Sequence, residues 1–279
     1  RTKKSQIKLL FRFIQYIERQ VVLFDAIEDA AFPVINNMDG IGTLRSLKEK
    51  AFSENKIEAL KTYLNEFKVR IVLTAHPTQF YPGSVLGIIT DLTEAVRDSD
   101  MDRINNLLAQ LGKTPFFKHV KPTPYDEAVN LIWYLEHVFY DSFGYIFDYI
   151  QQNVYGNKGL KNEIINIGFW PGGDRDGNPF VLPDTTLKVA SLLKKTLLKK
   201  YVLDLKKLKR KLTFRGVEDR LGALIQTIGR SLSNPDLFDF DFFVDELKEI
   251  KKIVAKEHHA LYINNISSLI NKTQLFGSH

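Results

Sequence analysis

A chain of 279 residues, 44% hydrophobic and 26% charged, has ordinary globular composition and the length for one large domain or two small ones. The absence of cysteine excludes disulfides, thiolate metal sites and cysteine nucleophiles, leaves metal binding to oxygen and imidazole, and fits a reducing, cytoplasmic setting. A formal charge of +6 suits nucleic acid, an anionic membrane or small acidic substrates, but no run approaches the roughly 18 apolar residues that cross a bilayer and no signal-peptide core follows the basic start, so a soluble chain is expected.

Residues 5–32 carry apolar side chains at helical spacing, with Ile7, Leu10, Phe11, Ile14 and Ile17 followed by Val21, Phe24 and Ile27. This predicts one or two amphipathic helices stopped by Pro33. Asn36 to Gly42 holds turn formers, and Gly40-Ile41-Gly42 lacks the third glycine of a nucleotide loop. A short helix is expected over Leu44 to Phe52, with Ser53 as N-cap of a second whose buried face is Ile57, Leu60, Leu64 and Phe67.

That helix leads into Val69 to Gly83, VRIVLTAHPTQFYPG. The apolar run Ile71-Val72-Leu73 predicts a buried strand at about Arg70 to Ala75. Pro77 cannot donate to a ladder, so the strand must stop at about His76 and leave that imidazole at a carboxyl end. Val85, Leu86, Ile88, Ile89, Leu92 and Val96 then restore the helical period, giving half of a βαβ crossover.

Thr123, Pro124, Asp126 and Glu127 form a strong helix start, and the helix is expected to run to about Asn153. Its aromatics, including Trp133, Tyr140, Phe143, Tyr145 and Phe147, read as core packing. Ile164, Ile165, Ile167 and Phe169 make a second strand, which ends in the loop Trp170-Pro171-Gly172-Gly173-Asp174-Arg175-Asp176-Gly177-Asn178-Pro179. Asp184, Thr185 and Thr186 are alternative caps for a long helix to about Leu212, whose lysines from Lys194 to Lys211 read as a solvated face. Helices follow over Phe214 to Leu232, Phe240 to Lys256 and His258 to Asn271, and a third strand is expected at Gln274 to Gly277.

Groups that react in parallel sheets and (β/α) barrels sit at strand carboxyl ends. His76, flanked by the Thr74 and Thr78 hydroxyls, has the side chain best suited to exchange a proton near neutral pH, as general base, general acid or electrostatic stabiliser. In the second loop Gly172, Gly173 and Gly177 let backbone approach a ligand, and Arg175 offers a planar guanidinium for bicarbonate, carboxylate or phosphate. Asp174 and Asp176 flank Arg175 and can hold it. A calcium loop does not fit, because Gly177 stands fourth from Asp174 and Thr185 occupies the twelfth position, where a glutamate is expected.

The two stretches, Thr74 to Thr78 with Gln79 and then the tryptophan-led Gly172 to Pro179, resemble the TAHPT and GGDRDGNP signature segments of phosphoenolpyruvate carboxylases. The resemblance implies an enzyme that converts phosphoenolpyruvate and bicarbonate to oxaloacetate and phosphate, and it implies that His76 is catalytic. Trp170 and Arg175 would then shape the bicarbonate or CO₂ pocket, supported by Gly172, Gly173, Asp174 and Asp176. It also implies Mg²⁺ or Mn²⁺ bound by ligands outside this chain, the remainder of the same polypeptide as partner, and a homotetramer. Where many members carry a pair of arginines, this chain has Tyr81-Pro82-Gly83.

The expected architecture is therefore mainly α: one helical domain, residues 1–279, with a few short parallel strands forming part of an incomplete (β/α) barrel. The resemblance implies the N-terminal portion of a carboxylase, expected to be inactive by itself, with neither nucleic acid nor membrane as partner. A non-catalytic helical interaction module and a basic nucleic-acid binder are the competing readings; the second predicts binding that is steeply salt-dependent and indifferent to His76.

Overall fold

The computed structural model describes residues 2–74, 81, 83–116, 122–156, 160, 164–175 and 177–278. The chain divides into two compact units, one from 1–46 and 76–121 and the other from 47–75 and 122–279.

In the first unit, α1 (Lys3–Ile35) is one long helix, capped by the Thr2 side chain and continuing through Pro33 to Ile35. A proline in the final turn removes only one backbone hydrogen bond, which is why it does not end the helix where the sequence suggests. Val22, Ala26 and Ala30 are its buried positions. Val22 and Ala26 pack with Val85, Ile88, Leu92 and Ala95 of α4 (Gly83–Arg97) and with Leu107 and Leu111 of α5 (Met101–Leu111). Asp100 caps α5 by accepting from the Arg103 amide at 2.9 Å.

The second unit begins with most of α2 (Leu44–Ser53) and with α3 (Ile57–Glu66). Ser53 does not cap α3: it is the last residue of α2, and its hydroxyl turns back to donate to the Lys50 carbonyl. The face of α3 is the expected one, with Leu64 buried and Ile57, Leu60 and Phe67 half-buried.

Strand β1 (Val69–Leu73) pairs with β2 (Ile165–Phe169) in parallel, in the register Val69 to Ile165 through Leu73 to Phe169. β1 is not the buried strand its apolar run suggests. Val69, Ile71 and Val72 are exposed, because β2 is the one strand among the described residues that pairs with it. The ladder is held close toward its carboxyl end, where a Cβ on Gly168 would come within 3.1 Å of the Val72 side chain across the pair.

Between the strands runs the expected helix from Thr123 to Asn153, comprising α6 (Pro124–Tyr134), a π-helical turn at Leu135–Phe139, and α7 (Tyr140–Asn153). Its start is a full capping box. The Asp126 amide donates to the Thr123 hydroxyl oxygen, and the Thr123 amide donates to the Asp126 carboxylate at 2.9 Å. The aromatic stripe is core only in part: Tyr140, Phe143 and Phe147 are buried, whereas Trp133 and Tyr145 are exposed.

The core of this unit is built on α8 (Pro183–Lys211), α9 (Glu218–Ser231), α10 (Phe240–Glu257) and α11 (Ile263–Phe276), where Leu198, Tyr201, Leu205, Leu221, Leu247 and Ile266 are fully buried. None of the three predicted caps starts α8. Pro183 occupies its first turn after Leu182, a position that suits a residue with no amide proton.

The lysine face of α8 is also not uniformly solvated, since Lys200 reaches Asp141 at 3.2 Å and is largely covered. Nearby, Lys272 of α11 is buried and pairs with Asp141 at 2.8 Å and Asp204 at 3.0 Å, while the Tyr140 hydroxyl donates to Asp204. Burial, with the Asp204 charge adding to it, pushes the Tyr140 phenol far above its ordinary range.

The strand expected at Gln274 to Gly277 is helix instead. α11 starts at Ile263, later than His258, because His259, Ala260 and Tyr262 take left-handed backbone conformations. It then runs to Phe276, its last turn pinned by the buried ion pairs of Lys272 and by the Tyr201 hydroxyl, which donates to the Gly277 carbonyl at 2.7 Å. Gly277, at φ +62°, takes the conformation that ends the helix.

Candidate functional site at the carboxyl ends of the parallel strands

Parallel pairing puts the carboxyl ends of β1 and β2 side by side. One step past the last pair, the Trp170 amide donates to the Leu73 carbonyl at 2.9 Å, so the sheet bonding extends to the residue that opens the glycine-rich loop. Thr74, the first residue of the histidine motif, follows directly and is exposed. His76 and Asp176 lie outside the described residues.

From Trp170 the chain turns tightly, with the Gly173 and Asp174 amides both donating to the Trp170 carbonyl at 3.0 and 3.1 Å. Gly172 is buried in this turn at φ +75°, and a Cβ there would stand 2.6 Å from the Val189 side chain of α8. Close packing against α8 and the left-handed backbone both call for glycine at this position. The Gly172 carbonyl accepts from the Thr186 hydroxyl at 2.6 Å, which ties the loop to the first turns of α8. Farther along, the Asn178 side chain accepts from the Phe180 amide at 3.0 Å, and the Asn178 amide donates to the Arg175 carbonyl.

These contacts anchor both ends of the loop and leave its middle facing solvent. Trp170, Gly173, Asp174 and Arg175 are all exposed. The result is an indole and a guanidinium five residues apart on a braced turn, able to offer a flat apolar wall and a forked donor to a small planar anion. Three positions that brace it, Thr186, Val189 and Asn178, carry no sign of that role in sequence. Thr186 reads there as a helix cap and Val189 as one more apolar position of α8.

Among the described residues no group of three or more histidine, aspartate or glutamate side chains gathers as a metal site, and no helix is long and apolar enough to cross a membrane. The described residues thus assemble no donor set of that kind for a divalent cation.

Comparison with known proteins agrees with the two motifs. The family model for phosphoenolpyruvate carboxylase matches residues 29–277. Among curated relatives, the phosphoenolpyruvate carboxylase of Shewanella loihica is 31% identical over 199 residues, which cover 64% of this chain and 22% of the relative. That of Tolumonas auensis is 26% identical over 228 residues, covering 75% and 25%, and that of Thermus thermophilus 28% over 145 residues, covering 51% and 17%. The chain therefore spans a quarter or less of the length of these relatives. With the family match extending over most of its length, the chain belongs to the phosphoenolpyruvate carboxylase family.

Proposed function

We propose that this chain is the part of a phosphoenolpyruvate carboxylase that supplies His76 and the Gly172–Pro179 loop to the site where phosphoenolpyruvate and bicarbonate become oxaloacetate and phosphate. The observation that carries the reading is the hydrogen bond between Trp170 and Leu73, because it joins the strand ends from which the two motif segments depart. Exposed apolar side chains on β1 support a larger (β/α) barrel in which further strands cover that face. The relatives' names support the substrates and reaction.

In this reading a bicarbonate oxygen attacks the phosphorus of phosphoenolpyruvate and the bond from phosphorus to the enol oxygen breaks, which leaves carboxyphosphate and an enolate. Carboxyphosphate releases CO₂ and phosphate, and the enolate carbon attacks CO₂ to form oxaloacetate. His76 accepts the carboxyphosphate proton, a step suited to imidazole. Trp170 and Arg175 enclose the bicarbonate and then the CO₂, Asp174 and Asp176 hold the guanidinium, and Gly172 and Gly173 keep the turn tight. Mg²⁺ or Mn²⁺, held by ligands outside residues 1–279, would supply positive charge for the enolate and the phosphoryl group. The assembled enzyme is a cytoplasmic homotetramer.

The test is His76→Asn in the complete carboxylase. Oxaloacetate formation should fall by at least about 10²-fold, the scale of a general acid–base contribution, with phosphoenolpyruvate binding largely retained. The separate 279-residue chain should form no oxaloacetate. An unaltered rate in the mutant would overturn the role of His76, and turnover by the separate chain that a His76→Asn control abolishes would overturn the need for the rest of the polypeptide.

A further inference from the structure

The C-terminal turns of α8 and the facing turns of α11 enclose a groove of about 210 Å³ that the carboxylase chemistry above does not use. Each helix lines it with one stripe at i, i+3, i+4 and i+7, running from Asp204 to Lys211 on α8 and from Asn265 to Lys272 on α11. The middle of each stripe is a buried leucine, Leu208 or Leu269, so polar walls stand over an apolar floor.

The charges of this groove are unequally matched. Asp204 is saturated, accepting from Lys272 and the Tyr140 hydroxyl at 3.0 Å each and from Lys207 at 3.1 Å. Lys272 is shared between Asp204 and Asp141, and Asp141 is shared again with Lys200. Asp148, the other carboxylate near the groove, is engaged by Ser268 and Asn271. Among the described residues Lys211 makes no ion pair; its ammonium lies 5.9 Å above the Tyr262 ring.

Lys207 and Lys211 also stand one helical turn apart on the same stripe, a like-charge spacing that mildly destabilises a helix, and the carboxylate that reaches Lys207, Asp204, is already shared with Lys272 and Tyr140. The favourable end of the α8 dipole accounts for basic residues in its last turn. It does not account for two of them overhanging a groove.

We propose that this groove is an oxyanion site, in which the phosphate of inorganic phosphate or of a small phosphate monoester bridges the Lys207 and Lys211 ammonium groups. The Asn265 amide serves as a neutral donor, and buried Lys272 is a fixed positive charge beneath. Lysine suits such a ligand as a point charge that needs no planar geometry, and the volume leaves room for a small organic body beside the phosphate. The site is independent of the carboxylase reading.

The test is a titration of the chain with inorganic phosphate, and separately with glycerol 3-phosphate, followed by amide NMR shifts at constant ionic strength against chloride. Saturable shifts confined to residues 207–211 and 265–272 are expected. Lys211→Gln should weaken binding by about tenfold, the loss of one charge-assisted contact. It disturbs no ion pair among the described residues, and its unchanged spectrum elsewhere reports an intact fold. Lys206→Gln, on the exposed side of α8, should leave binding unaltered. Tighter binding of the ester would identify a phosphate monoester as the ligand, and equal binding would identify free phosphate. Shifts that do not saturate, that chloride reproduces, or that persist unchanged in Lys211→Gln would overturn the proposal.

Discussion

The Trp170 amide and the Leu73 carbonyl, hydrogen-bonded at 2.9 Å, close the parallel ladder at the point where both motif segments leave it. At the other end the Val69 amide donates to the Ile164 carbonyl at the same distance, so the ladder is bracketed by backbone bonds on both sides. Hydrogen exchange should therefore show the Trp170 amide protected like those of β1 and β2, although its side chain is exposed. Exchange of Trp170 at the rate of an unstructured peptide would mean that the loop is not tied to the histidine strand.

Gly172→Ala should destabilise the second unit by about 1–3 kcal/mol, the range for a substitution that combines steric overlap with backbone strain. The added methyl would meet Val189 at 2.6 Å on a backbone held at φ +75°. At Gly173 the nearest neighbour would be 3.5 Å away, so Gly173→Ala should cost clearly less. Urea denaturation of the two variants side by side gives the comparison; equal costs would contradict the packing role of Gly172.

Lys272→Met removes the cation that Asp141 and Asp204 share. Taking away one partner of a buried pair costs about 3–5 kcal/mol, and the half exposure of Asp141 argues for the lower end. Burial works to raise the Asp141 carboxyl, but its hydrogen bonds and attraction to Lys272, then Lys200, outweigh that and hold it below its ordinary value. A carboxylate with a depressed folded pKa contributes stability that is present above its unfolded value, about 3.9, and is lost as pH falls through the folded one. Thermal melting on acidification should show this loss in the parent chain and a smaller one in Asp141→Asn.

Thr123→Ala should cost about 1 kcal/mol by breaking the capping box at the start of α6, and Thr123→Ser should restore most of it. Calorimetric midpoints of the two variants provide the check; a serine variant as unstable as the alanine one would show that the hydroxyl contact is not what stabilises the turn.

How much of this was legible in sequence differs by element. Pro124 after Thr123, with Asp126 in the first turn, announces a helix start by local chemistry alone, and the capping box follows. Both strands and the loop opening at Trp170 also lie at their apolar runs, although β1 ends at Leu73, short of the Ala75 that Pro77 suggests. The end of α11 is not legible in this way, because Leu275 and Phe276 make a short apolar run that suits helix or strand equally. What decides it is the distant pairing of Lys272 with Asp141 and Asp204, which no local pattern contains. The bracing of the loop by Thr186 and Val189 was invisible for the same reason: both belong to a helix whose register against Gly172 is set by tertiary packing.

Whether the two motif loops serve one site is tested most directly by a double-mutant cycle in the complete carboxylase, with His76→Asn, Arg175→Gln and the pair, read as kcat/KM for bicarbonate. Residues acting on the same bicarbonate should show strong non-additivity, with the pair losing little more than the worse single variant and a coupling energy of about 1 kcal/mol or more. Losses that add within about 0.5 kcal/mol would contradict a shared site.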